Sequence, residues 1–272
     1  MSAWSRLTLV GFSPAQWRGS SYLYRLIGFF GSWRQNSWLL QRADTLGAVL
    51  VATVLALGPF VSSNLIGVLL AAIAVYWLLV TLSDTDRPAA SPIHLLILLY
   101  WGLAAIAVAF SPVKAAAFSG WVKLTLYFAF FALSARVLRS PRLTNWLVTI
   151  TLLAALAVSA YGVKQQFFGV AQLATWNDPT SPLAQQTRVY SFLGNPNLLA
   201  SYLLPPLALS VAAIFAWRGW LPKLLAVIMV GMNLACIYFT GSRGGWIGTV
   251  AVTVVLLLLF YLWWQRFGRA HV

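Results

Sequence analysis

Glutamate is missing altogether, and the only carboxylates are Asp44, Asp84, Asp86 and Asp178. Proton- and sodium-coupled pumps commonly rely on acids inside the membrane. None of these four falls mid-way along an apolar run, which counts against such coupling and leaves facilitated transport open. Histidine is nearly as scarce: His94 and His271 have no carboxylate or thiol at ligand spacing, so no metal site is expected. A Ser-His-Asp triad would also lack an outward-facing histidine. The single cysteine, Cys236, excludes an intrachain disulfide. No glycine-rich loop follows a strand, so nucleotide-binding fingerprints are missing and no cofactor is expected.

What fills the chain instead is apolar. Of 272 residues, 61% are hydrophobic and 8% charged, with a mean hydropathy of +0.82, outside the range of soluble domains. The expectation is an all-α, polytopic transmembrane helix bundle, because backbone groups in lipid have to be paired within their own segment. Eight runs approach the ~20 residues that cross a hydrocarbon core of ~30 Å. They lie near 44–61, 65–82, 93–110, 116–137, 143–163, 198–217, 221–240 and 244–264. Short breaks such as Gly58-Pro59, Ser91-Pro92, Ser111-Pro112 and Ser140-Pro141 separate them, since proline disfavours helix at the residue before it.

The net charge of +14 sits mostly at the ends of these runs, where it sets membrane orientation. With the N-terminus inside, thirteen Lys and Arg fall on inner segments, four (Lys114, Lys164, Arg188 and Arg243) on outer ones, and Lys123 within a span. Both termini are therefore expected to be cytoplasmic, in the inner (plasma) membrane, with the loop 164–197 facing outward. No clustered basic face exists, so nucleic acid is not an expected partner; membrane lipid is. Residues 1–42 interleave arginine with tryptophan and read as a cytoplasmic or interfacial segment lying on anionic lipid, or as a basic tail, with no signal-peptide pattern. Residues 43–264 form the bundle and 265–272 a cytoplasmic tail.

Only Lys164–Ala200 interrupts the apolar pattern with a long polar stretch, and a loop of this length between membrane segments is more often functional than accidental. Arg188 lies just before span six. Arg243 lies in Thr240-Gly241-Ser242-Arg243-Gly244-Gly245 at the start of span eight. Both spans begin on the outer side, so their helix N-termini, with unpaired N–H groups and partial positive charge, face the loop. Arg188, Arg243, Asn195, Asn197, Gly244 and Gly245 thus form a candidate cradle for phosphate, pyrophosphate or bicarbonate. Plainer readings stand beside this one. Asn197 reads as the N-cap of span six, Asn195-Pro196 as an ordinary turn, Arg243 as a snorkelling boundary residue and Arg188 as a solvated charge. Lys123, about two turns into span four, reaches the outer interface or lines the same cavity. Lys164 complements the C-terminal dipole of span five. Asp178, the only outward acid, is a candidate base or counter-ion, or a turn former in Asn177-Asp178-Pro179. Gly241-xxx-Gly245 and Gly244-xxx-Gly248 match a close-packing pattern that also arises by chance.

Through Arg188, then Gly194-Asn195-Pro196-Asn197-Leu198-Leu199-Ala200, then Thr240-Gly241-Ser242-Arg243-Gly244-Gly245, the chain resembles the O-antigen ligase and polymerase superfamily. Through Trp121-Val122-Lys123-Leu124-Thr125-Leu126-Tyr127 and Leu173-Ala174-Thr175-Trp176-Asn177-Asp178 it is more closely similar to the cyanobacterial IctB branch, named for bicarbonate transport. The likeness runs from the arginine-rich start through span eight. Its superfamily side implies transfer of a glycan from a polyprenyl-diphosphate carrier at the outer membrane face, without metal or nucleotide. Arg188 and Arg243 occupy the positions of arginines thought to hold that diphosphate. The branch name implies bicarbonate as ligand and inorganic-carbon accumulation as role. Superfamily members continue past span eight into a second outer loop, which in ligases carries a histidine for acceptor activation, and into further spans. The resemblance therefore implies that residues 1–272 alone are catalytically incomplete.

Overall fold

Each apolar run folds into a helix, and the turns fall at the Gly-Pro and Ser-Pro breaks. The structure, a computed structural model, describes residues 37–84, 92–170 and 188–267. After a single helical turn, Trp38–Gln41, come α1 (Ala43–Leu57), α2 (Ser63–Ser83), α3 (Pro92–Phe110), α4 (Lys114–Val137), α5 (Pro141–Phe168), α6 (Pro196–Ala216), α7 (Trp220–Phe239) and α8 (Arg243–Phe267). No strand occurs among the described residues. The seven helices α2 to α8 are long and apolar enough to cross a membrane. The chain is an all-α, multi-pass membrane protein.

Two spans differ from expectation. α1 has 15 residues, about 22 Å of helix, short of a full hydrocarbon core. It stops at Leu57 because Pro59 has no N–H to continue the ladder, and Phe60 N closes a turn onto Leu57 O instead (2.8 Å). α5 is longer than expected, 28 residues ending at Phe168, about 42 Å. Gln165 and Gln166 are good helix formers, and Gly169, at φ +77°, supplies the left-handed residue that ends it. Lys164 is therefore a helical residue, its Nζ lying 5.8 Å from the Tyr161 ring. The basic segment expected over 1–42 lies almost wholly outside the described residues.

The described residues fall into two compact units. One comprises the chain up to Val54 together with Ser62–Asn145; the other comprises Leu55–Val61 and the chain from Trp146. In the first unit an ion cluster fixes the helix ends. Arg136, in the last turn of α4, donates through Nε to Asp44 Oδ1 (2.8 Å) and through Nη1 to Asp84 Oδ2. Asp84 is the buried C-cap of α2, and Asp44 lies in the first turn of α1. The start of α1 and the ends of α2 and α4 thus meet, so α1 runs antiparallel to α2 and α2 parallel to α4. Tyr76 Oη donates to Ala43 O (2.9 Å) at the same end. Gly47 lets α1 approach α4 closely: a Cβ there would sit 3.1 Å from Leu133 and 3.3 Å from Val137. α3 buries none of its spanning window and is held to α4 by Trp101, whose Nε1 donates to Thr125 Oγ1 (2.9 Å) and whose ring packs on Trp121.

In the second unit, α6 packs against both α7 and α8. A Cβ on Gly245 would fall 2.7 Å from Ala200 Cβ, and one on Gly248 2.5 Å from Leu204 Cδ1. The glycine pattern in α8 is therefore a seam along which the parallel helices α6 and α8 touch. A core of Ala155, Val158, Leu199, Leu203, Leu207 and Ile237 joins α5, α6 and α7. Pro205 and Pro206 interrupt the ladder inside α6. Just beyond them Ser210 Oγ donates to Pro206 O (2.7 Å) and accepts from Asn233 Nδ2 of α7 (3.4 Å).

Removing Arg136 as Arg136→Ala would take the guanidinium from buried Asp84 and is expected to lower stability by about 3–5 kcal/mol. Asp44→Asn, at a carboxylate more than half exposed, should cost under about 1 kcal/mol. Gly245→Val should cost about 1–3 kcal/mol through overlap with Ala200. Gly67→Ala, with nothing within 4 Å, should be neutral or better. Denaturant titration in detergent micelles reads all four.

Candidate functional site

A buried turn precedes α6, and its backbone is satisfied almost entirely by side chains and helix ends from elsewhere in the second unit. Gln165, on the last turns of α5, accepts at Oε1 from Tyr190 N (3.1 Å) and Ser191 N (2.7 Å). Ser191, at φ +50°, donates through Oγ to Val158 O (2.7 Å). Val189 N donates to Phe239 O (3.2 Å), capping the end of α7. Phe192 stacks on Tyr161 (4.3 Å between ring centroids) and meets Phe60 edge-on (4.9 Å). The turn is therefore held from α5, from α7 and from the segment before α2.

This scaffold positions Arg188. Its Nε donates to Thr240 O (2.9 Å) and its Nη2 to Asn197 Oδ1 (3.4 Å). The side chain lies across Gly241, whose φ of +59° and lack of a Cβ leave room for it: a Cβ there would sit 3.3 Å from Nε. The guanidinium is half-buried, and these are its hydrogen bonds among the described residues. Arg188 is a built residue, not a solvated loop charge.

The two helix N-termini differ. At α6 the cap is Asn195, not Asn197: Asn195 Oδ1 accepts from Asn197 N (2.8 Å) and Leu198 N (3.4 Å). Pro196 takes the first helical position, where its missing N–H costs nothing and its φ is already helical. Leu199 N is bonded to Asn195 O (3.0 Å). No N–H of the first turn of α6 is left for an anion. At α8 the cap is Ser242, whose Oγ accepts from Gly245 N (3.2 Å), while Trp246 N bonds Ser242 O (3.0 Å). The backbone N–H groups of Arg243 and Gly244 have no acceptor among the described residues. As the first residues of a new helix they have no carbonyl one turn earlier in α8 to bond; the nearby Phe239 O and Thr240 O accept from Val189 N and Arg188 Nε.

The sequence-expected residues thus take different roles. Arg188 bonds Asn197 Oδ1 and Thr240 O, and Arg243 and Gly244 open α8 three and four residues after Thr240. Arg243 is exposed and makes no hydrogen bond or ion pair with another described residue, and a Cβ on exposed Gly244 would meet only Ser242 Oγ, at 4.0 Å. Gly245 is buried against α6 and serves packing, and Asn195 serves capping. Lys123 is exposed on α4, in the first unit. Asp178 and Asp86 lie outside the described residues. Next to Arg243 an exposed aromatic pair, Tyr238 and Trp246, stacks at 5.9 Å and 12°. Among the described residues no group of three or more His, Cys, Asp or Glu is placed to hold a metal. Comparison of the chain with family models, curated proteins and solved structures returns no match in any of the three.

Reading from sequence missed Gln165, Ser191 and Ser242. Ser242 was within reach, because serine before a helical run is a preferred N-cap. Gln165 carries no local signal: its partners are 25 and 26 residues away. Gln165→Ala should loosen the turn and cost about 1–3 kcal/mol by leaving buried N–H groups unpaired. Asn195→Ala should cost about 1 kcal/mol, and Asn197→Ala less. Amide hydrogen exchange at residues 188–192 should speed up in Gln165→Ala and stay unchanged in Asn197→Ala.

Proposed function

We propose that the chain binds an oxyanion-bearing ligand where the Arg188 turn meets the start of α8, at the face expected to be outward. The observation that carries this reading is a pair of backbone N–H groups, Arg243 and Gly244, with no acceptor among the described residues, at the N-terminus of a 25-residue helix that follows the turn bonded by Arg188. A helix N-terminus contributes about half a positive charge there. Arginine adds planar donors that match phosphate or carboxylate oxygens.

The preferred ligand is a lipid-linked diphosphate, such as the polyprenyl-diphosphate glycan that the O-antigen ligase resemblance implies. Tyr238 is 66% and Trp246 47% exposed, and amphipathic rings of this kind sit at the boundary between hydrocarbon and headgroups. They place an apolar face beside Arg243, which suits a ligand with a diphosphate head and an isoprenyl tail. Membership of the superfamily, its IctB branch and an inner-membrane location belong to the same proposal. Bicarbonate accumulation is the second reading, and what favours it is Lys123, an exposed cation within a spanning helix. Glycan transfer itself would draw on chemistry beyond the groups assembled here.

Binding of a polyprenyl diphosphate to the purified chain in lipid nanodiscs is expected to exceed that of the matching polyprenol. Arg188→Gln and Arg243→Gln should each weaken it about tenfold or more, the loss expected for a charge-assisted hydrogen bond. Equal affinity for diphosphate and alcohol, or full affinity in both variants, would remove the basis for the site. Saturable bicarbonate uptake by proteoliposomes, lost in Lys123→Gln, would favour the second reading.

A further inference from the structure

Lys123 lies nine residues along α4 from Lys114 and fourteen before Val137, about 14 Å and 21 Å of helix. That depth is near the middle of a hydrocarbon core, further from the Lys114 end than a four-carbon stem can reach. It is exposed and has no hydrogen bond or ion pair with another described residue. A bare ammonium facing hydrocarbon at such depth is strongly unfavourable, and lysines inside spanning segments characteristically face water-filled or paired surroundings.

Of the four residues one turn from it, apolar Leu126 is half-buried and the other three are exposed. Ser119, Gly120 and Tyr127 lie one turn above and below Lys123 and are also exposed. A Cβ on Gly120 would meet nothing within 4 Å. The adjacent helix has the apolar pattern expected of a lipid face: Leu96, Leu99, Leu103 and Ile106 of α3 recur at helical spacing and are 64%, 60%, 57% and 56% exposed. α4 has instead a hydroxyl, a glycine, a lysine and a phenol in line. Because Cα–Cβ bonds tilt toward a helix's N-terminus, Lys123 leans toward the Lys114 end.

We infer that the Ser119–Lys123–Tyr127 face of α4 borders a water-filled crevice, entered from the Lys114 end, in which Lys123 attracts small anions. None of these residues belongs to the Arg188 turn, and a crevice here neither requires nor excludes the diphosphate site. Water at this depth would solvate the side chain, and the low-dielectric surroundings of a crevice raise the local concentration of anions beside a cation.

The test is cysteine accessibility in intact vesicles. In a Cys236→Ala background, Ser119→Cys and Lys123→Cys are treated separately with a membrane-impermeant anionic methanethiosulfonate and with its cationic counterpart. Lys114→Cys marks the crevice mouth and Leu99→Cys the lipid face. Positions 119 and 123 should react, as should 114, while 99 should not. In Ser119→Cys the preference for the anionic reagent should fall at least about fivefold when Lys123→Gln is added. Two results would overturn the inference: no labelling at either 119 or 123 while 114 reacts, which means lipid or protein covers the face, or labelling with no change in charge preference on removing Lys123.

Discussion

Where a membrane helix ends against protein rather than water, its unpaired carbonyls and N–H groups have to find partners in protein, because lipid offers none. The second unit is built around this requirement. α5, α7 and the turn before α6 meet so that Gln165 serves Tyr190 and Ser191, Val189 serves Phe239, and Arg188 serves Thr240. Asn195 closes the start of α6. Among the described residues, the two first N–H groups of α8 then have no acceptor. The candidate site lies where that bonding leaves donors open.

Charge follows a similar logic. With so few acids in the chain, the described aspartates serve structure, since Asp44 and Asp84 both bind Arg136 and tie three helix ends in the first unit. Arg188 and Arg243 have no carboxylate partner among the described residues. Arg188 is steadied by a carbonyl and an amide, which fix its position without neutralising it. An arginine held this way stays available to an anion from outside the chain, whereas one held by a carboxylate would not.

The apolar periodicity was enough to locate seven spanning helices, with ends mostly within a few residues of where Pro and Gly place them. It overran α1, because a run of apolar residues continues through Gly58-Pro59 although the backbone ladder cannot. It also ended α5 early, because Lys164-Gln165-Gln166 reads as polar loop whereas these side chains suit a helix. For the site, Arg188 and Arg243 stand out in sequence as charges in an apolar chain. The division of labour among Asn195, Asn197, Gly244 and Gly245 does not. Each is a common turn or cap residue, and only the donors and acceptors around it show which one caps, which one packs and which one stays open.

What the sequence determined by itself is the class of structure: without charge to solvate it or polar groups to break it, this chain has to pair its backbone in helices long enough for lipid. It also determined where cations stand along those helices. Tertiary structure alone decided which helix start is closed and which is open. The reason is that the deciding bonds, Gln165 to Ser191 and Arg188 to Thr240, join residues 26 and 52 apart, and no local pattern carries a contact of that span.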